Sequence, residues 1–381
     1  MSRTRHEICE AASRQLSAAA PSLPRINALI GLDGFVDEII AVVDKRLNNE
    51  VFERVKTIDD LARKIDGAAG QSSNYELVVK QMKLGGNGPI MANALASAGM
   101  NVTYVGNLGY PNLHAVFEPF SKRATVISIA EPGHTDALEF DDGKLMLGKL
   151  MPLNDVNWPN IVDRVGRDKI QGLVEGSRLI GMVNWTMLPH MSRIWASLQD
   201  EVMSKLPTAS SGGKDRKLFV DLADPEKRTH QDIAEAMHIL GRFQKSADVI
   251  LGLNLKESIE IASVLGLSAE ADPEPAIART AAAIRQALQI NCVVIHPRRG
   301  AAAALEGQTA QFAGPFVQEP KISTGAGDHF NAGFCLAQVL GMSLEESLCV
   351  GVSTSGYYVR TAESPSAVEL SEFIANLPAP Q

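Results

Sequence analysis

The chain has 381 residues, room for one large domain or two, with 45% hydrophobic and 21% charged residues and a net charge of -8. No apolar run approaches the ~20 residues that a spanning helix needs, and the first residues, MSRTRHEICEAASRQL, carry charges without an apolar signal core. Dispersed Lys and Arg argue against a nucleic-acid surface, and Cys9, Cys292, Cys335 and Cys349 lack the paired spacing of a zinc site, so the expectation is a cytoplasmic protein bound to neither nucleic acid nor membrane.

Short β-branched runs alternate with helical segments, the pattern of a mostly parallel sheet covered by helices. A strand is expected at 26–31. Residues 38–84 then break the alternation, with a polar helical piece at 58–65. A helix at 89–98 opens with Pro89 in its first turn and stops at Gly99, and a strand follows at 102–106. Residues 133–150 break the pattern again, and ALEFDDGKLML within them reads as a hairpin. Both irregular segments are assigned to a small β-rich lid. Strands are expected at 177–183, 218–222, 249–253 and 292–296, with helices at 231–243 and 257–265 between them. The run SSGGKDRK at 210–217 reads as an exposed loop, and Trp158, Trp185 and Trp195 as packing residues. A last major helix starts at Gly325. Without an internal repeat, the reading is a single α/β domain spanning 1–381.

Common nucleotide motifs are absent: there is no GxxxxGK[ST], no early GxGxxG, no HRD/DFG set and no HExxH. The most informative stretch is instead 323–334, STGAGDHFNAGF. Gly325 and Gly327 lack a Cβ, so the backbone can approach a ligand closely, and the free N–H groups of a first helical turn bind phosphate oxygens. Asp328 stands beside that turn. A carboxylate repels a bound anion, so its place there makes sense if it accepts a proton from the group that attacks the phosphate.

This stretch resembles the C-terminal signature of the ribokinase-like (PfkB) carbohydrate kinases. Three other segments agree with it, in the family's order. LGGNGPIMANALASAG at 84–99 is similar to the family's GG motif, ILGLNLKES at 250–258 contains an NxxE motif, and LDGFVDEIIAVVD at 32–44 is similar to the opening strand pair. The likeness runs over roughly 26–366. It implies a ribokinase-like fold with Asp328 as catalytic base and the amides of Gly325, Ala326 and Gly327 as anion hole. Substrate contacts are implied for Gly85, Gly86, Asn87 and Asp37, with Asp33 as the second candidate aspartate. Nucleotide contacts are implied for Asn254, Glu257, Thr324, Arg298 and Gly300, and Mg2+ is expected on Glu257 through water. The lid strands of this family often pair between protomers, which implies a homodimer.

Each segment also has a structural reading. Asn254 fits a helix N-cap, Asp33 and Asp37 fit local turn caps, and His329 fits a supporting or surface histidine. Departures from the family pattern touch the cation and the substrate. Ile322 stands where many members carry an aspartate for a monovalent cation, so potassium activation is not expected. Ile295 and Pro297 replace a threonine and a glycine near the nucleotide phosphates, where Arg298 or Arg299 either compensates or stays solvated. Ile90 replaces a frequent asparagine, and Gly109-Tyr110-Pro111 an acidic turn. The expectation is an ATP- and Mg2+-dependent kinase acting on a hydroxyl of a small sugar or polyol. The alternatives are a nucleoside or vitamin-type hydroxymethyl kinase, or a non-catalytic nucleotide- or sugar-binding regulator of the same fold.

Overall fold

Strands that are apolar at every position need cover on both faces, and this chain provides it. The structure, a computed structural model, describes residues 3–206 and 216–380; of the loop predicted at 210–217, residues 210–215 lie outside them. Among the described residues the strands are, in chain order, Asn27–Leu32 (β1), Phe35–Arg46 (β2), Phe52–Arg54 (β3), Leu77–Gly85 (β4), Asn101–Gly106 (β5), Thr125–Ser128 (β6), Gly133–Phe140 (β7), Gly143–Lys149 (β8), Leu179–Met182 (β9), Lys217–Asp221 (β10), Asp248–Leu253 (β11), Cys292–Ile295 (β12), Gly300–Leu305 (β13) and Gln308–Ala313 (β14).

Nine of these form one sheet in the order β14-β13-β12-β11-β10-β9-β1-β5-β6. It is parallel except for the β12-β13-β14 end, where both pairings are antiparallel. Alternate side chains feed two separate cores. Ile30, Tyr104, Phe219, Ile250 and Val294 pack with the helices Asn87–Ala98 and Ala326–Val339 on one face. Ile180, Val220, Leu251 and Val293 pack with His230–Phe243 and Ile277–Leu288 on the other. Strand order reverses beside β1, which runs from β5 on one side to β9 on the other. In open α/β sheets ligands bind at the carboxyl ends of the strands at such a point.

β2, β3, β4, β7 and β8 form a second, smaller sheet with a core of its own around Ile40, Val42, Leu61 and Leu138. Both segments assigned to the lid lie in it, with the helical piece at Ile58–Asp66 and an antiparallel β7-β8 hairpin. β2 begins earlier than expected, at Phe35, which sits opposite both Gly85 and Gly133. A Cβ on Gly133 would come within 2.7 Å of the Phe35 ring, so the glycine makes room for it. β6, the β13-β14 hairpin and the helix Leu344–Thr361 are further elements that the sequence reading did not foresee, so the helix after Gly325 is not the last major one.

Candidate active site

The helix Ala326–Val339 is a core element: all twelve residues from Asp328 to Val339 are buried. Its start is set by Gly325, which takes φ +89° as N-cap without a capping side chain; a left-handed conformation of this kind favours glycine. The Ala326 amide closes the turn onto the Ser323 carbonyl at 3.2 Å. The amides of Gly325 and Gly327 have no partner among the described residues and stay available to an anion.

Residues 323 and 324 stand between two cavities and line both. One, of about 700 Å³, lies toward the small sheet and is bounded by Asp37, Lys83, Leu84, Ile90 and Ile322. The other, of about 760 Å³, is bounded by Asn254, His296, Arg298, Gly300, Ala326 and Gly327. Taken as the acceptor-side and the donor-side space of the expected reaction, the two meet at residues 323 and 324; Asp328 itself lines neither and follows Gly327, which borders the second.

Asp328 is 7% exposed and accepts from the Asn87 side-chain amide at 3.0 Å. Burial pushes its carboxyl up to about 7, aided by the charges of Asp33 and Glu257, while the Asn87 bond works the other way. A carboxyl in that range both accepts and releases a proton near neutrality.

Asn87 is placed by the turn before its helix, where Gly86 has φ +96° and a Cβ would come within 2.9 Å of the Asp33 carboxylate. Asp33 is fully buried and accepts from the backbone N–H of Asn87 (3.0 Å) and of Gly88 (2.8 Å), and from the Asn184 side chain (2.7 Å). Burial raises it to about 6. The two candidate aspartates thus do different work. Asp33 is occupied by protein donors and fixes the turn, whereas Asp37 borders the acceptor-side cavity with its carboxylate against Gly85. Burial raises Asp37 as well, opposed by Thr135, Lys83 and Lys144.

On the donor side, Asn254 caps the helix Leu255–Val264 in a reciprocal box with Glu257. Glu257 accepts from the Asn254 and Asp224 amides at 2.8 and 2.9 Å, yet burial still raises it. The cap reading is thus realised in the fold, and the carboxylate remains directed at a cluster of charge. Asp221, which the sequence reading passed over, completes that cluster. Fully buried at the end of β10, it takes a 3.0 Å bond from Asn331, and burial with the charges of Glu257 and Asp328 holds it far above the usual carboxylate range. Its signal was available, since it is an acid at the carboxyl end of a predicted parallel strand. Asn184 and His296 were also missed. Asn184 sits at φ 62° after β9. Burial lowers the His296 imidazole to about 4, and its Nε2 has no partner among the described residues. Arg298 lines the donor-side cavity, while the Arg299 guanidinium lies 4.7 Å over the Phe316 ring. The histidine after the base, His329, is buried and not on the surface.

Three mutually repelling buried acids fit a cation that arrives with an anionic ligand. Among the described residues no three His, Cys, Asp or Glu side chains are grouped to hold a metal directly, so these acids would suit an ion held through water rather than by direct ligation.

The sequence profile of a family described as prokaryotic ketohexokinase matches residues 2–377. A ketohexokinase of Haloferax volcanii is 31% identical over 373 residues, covering 96% of each chain. Two solved structures share the fold. A ribokinase of Arabidopsis thaliana complexed with ribose and ATP has a TM-score of 0.58 at 17% identity, covering 92% of this chain and 98% of that one. A ribokinase of Cryptococcus neoformans in complex with ADP has a TM-score of 0.61 at 17% identity, covering 91% and 99%.

Proposed function

Because the chain belongs to the prokaryotic ketohexokinase family of ribokinase-like sugar kinases, phosphotransferases with an alcohol acceptor, we propose that it transfers the γ-phosphoryl group of ATP to a hydroxyl of a ketohexose. The observation that carries this reading is the buried Asp328 carboxyl, near 7, next in the chain to a turn that separates two cavities and whose Gly325 and Gly327 amides have no partner among the described residues. Both the family profile and the Haloferax relative carry the ketohexokinase name, which supports a ketohexose over other small sugars and polyols.

In this mechanism Asp328 takes the proton of the attacking hydroxyl while Asn87 orients its carboxylate. The Gly325 and Gly327 amides accept the charge that gathers on the transferring oxygens, and the Ala326 amide shapes the turn. Asp37, Gly85, Gly86 and Asn87 bind acceptor hydroxyls, and Asp33 holds their turn in place. Thr324, Arg298 and Gly300 face the nucleotide phosphates, and an arginine there pairs with phosphate through its planar fork. Asn254, Glu257 and Asp221 would hold a hydrated Mg2+ with the nucleotide, where it would neutralise phosphate charge. The small sheet acts as a lid that excludes water from the acceptor cavity. Its exposed apolar side chains, Leu77, Val79, Met82, Met146 and Leu147, support pairing with the same sheet of a second copy.

The test is ADP release with MgATP across ketohexoses, aldopentoses, polyols, nucleosides and hydroxymethyl vitamins. A ketohexose is expected to give the highest kcat/KM. A nucleoside or vitamin preference would replace the substrate assignment, and no turnover on any acceptor would favour a binding regulator.

A further inference from the structure

The turn that offers its amides to the anion is gripped from the acceptor side, by residues that line that cavity. Its two successive carbonyls, Thr324 and Gly325, accept from a stacked pair of rings. The Tyr358 hydroxyl donates to the Thr324 carbonyl at 3.0 Å, and His329 Nδ1 lies 2.8 Å from the Gly325 carbonyl. The rings lie 3.6 Å apart at 12°. A carbonyl only accepts, so Nδ1 carries the hydrogen. Burial lowers the His329 imidazole to about 4, so at neutral pH the ring is uncharged and Nε2 must accept. Its neighbour there is the Ser364 hydroxyl at 2.8 Å, which accordingly donates. Ser364 Oγ in turn accepts from the Asn93 side-chain amide at 3.3 Å, and Asn93 Oδ1 accepts from the Arg123 guanidinium at 3.3 Å.

Every hydrogen in the series Arg123, Asn93, Ser364, His329 points the same way, from a cation toward the Gly325 carbonyl. Aligned hydrogen bonds polarise one another, and a carbonyl that accepts strongly makes the N–H of the same peptide a better donor. The Thr324 carbonyl shares its peptide with the Gly325 amide, and the Gly325 carbonyl with the Ala326 amide.

We propose that Tyr358 and His329, the latter aligned by Ser364, Asn93 and Arg123, are positioning residues for phosphoryl transfer: they lock the two peptide planes of the turn, Tyr358 strengthening the Gly325 amide as a donor to the transferring phosphoryl group and His329 strengthening the Ala326 amide in the bond to the Ser323 carbonyl that holds the turn closed. This rests on the reading of that turn as the anion hole. Strengthening matters most where negative charge peaks, so the effect falls on kcat; because the same residues line the acceptor-side cavity, affinity for a transition-state mimic, not acceptor KM, separates positioning from acceptor contact.

Two measurements test it. In ¹⁵N-histidine-labelled protein, His329 is expected to show a protonated Nδ1 and a bare Nε2 from pH 6 to 8; an Nε2–H tautomer overturns the series whatever the activity. In kinetics, Tyr358→Phe and Ser364→Ala are each expected to lower kcat about three- to tenfold, the worth of one net hydrogen bond. Affinity for ADP with aluminium fluoride should fall in step, and Ser364→Thr should restore both. Arg123→Gln, at an exposed side chain, should lower kcat by about twofold. Unchanged kcat and ADP–aluminium fluoride affinity in both Tyr358→Phe and Ser364→Ala overturn the proposal. Asp328→Asn separates the two levels. If it retains turnover, the active-site reading itself fails; if it loses turnover while the other variants keep theirs, only the positioning role fails.

Discussion

The side-chain amide of Asn87 donates to Oδ1 of Asp328 at 3.0 Å, joining residues 241 positions apart. This bond opposes the burial that holds Asp328 near 7. As a base must be ionised to act, kcat/KM should rise with pH through an inflection near 7. Removing the amide in Asn87→Ala should move that inflection upward by about one unit, alongside any loss of acceptor affinity. A pH–rate profile that stays flat between 5.5 and 8.5 in the parent enzyme contradicts the assignment.

Replacing the base outright is the sharper experiment. Asp328→Asn keeps an oxygen for Asn87 but has no proton affinity to offer, and kcat should fall by ~10²-fold or more. Nucleotide affinity, measured calorimetrically, should change little. Near-normal turnover ends the case for Asp328.

Stability should carry the same signature. The folded-state value of Asp328, about 7, lies above the ordinary 3.8, so folding favours its protonated form. The associated stability is complete below pH ~4 and is lost as pH rises to about 7, at up to ~1.4 kcal/mol per unit. The amide introduced by Asp328→Asn does not titrate. In chemical denaturation without ligands, the stability of that variant relative to the parent should therefore climb between pH 5 and 7 and level off above it. A pH-independent difference refutes the raised value.

Asp33 is predicted to matter for folding before it matters for turnover. In Asp33→Ala the amides of Asn87, Gly88 and Asn184 lose their acceptor in a fully buried place. Each such orphan costs about 1–3 kcal/mol, so the variant should lose about 3 kcal/mol or more by denaturant titration. A loss under ~1 kcal/mol means that the turn is held by something else.

The metal requirement probes the donor side. Glu257→Gln removes one charge from the cluster with Asp221 and Asp328 while keeping an oxygen for one of its two backbone donors. The Mg2+ concentration for half-maximal rate should rise on the order of tenfold, or ~1.4 kcal/mol, at saturating ATP. An unchanged requirement confines Glu257 to its capping role.

Six of the seven parallel strands of the large sheet were legible to within a residue or two, because runs such as VILGL and CVVI are apolar throughout and end at turn residues; the short edge strand Thr125–Ser128 was not. The motif order brought Asn87, Asp328, Asn254 and Glu257 into view for the same reason: each sits at an element boundary that glycine or a cap residue marks. What stayed hidden depends on pairing across the fold. The helix Leu344–Thr361 is rich in Ser, Thr and Gly because it packs closely against Ala326–Val339, where a Cβ on Gly333 would collide with Thr354; such a composition carries no clean apolar stripe. Asp221 looked like any strand-end acid until Asn331 and Glu257 were found around it. The supporting role of His329 rests on Ser364 and Tyr358, which the spacing of its own motif does not announce.

One more consequence lies in where Asp33 sits. The link from β1 to β2 carries it out of the large sheet and into the small one, and the link from β4 into the helix Asn87–Ala98 makes the return journey. By bonding Asn87 and Gly88, Asp33 rivets these two crossings into a single pivot. Neither link can therefore shift without the other, and the place of Asn87, with its bond to Asp328, is fixed by both sheets at once.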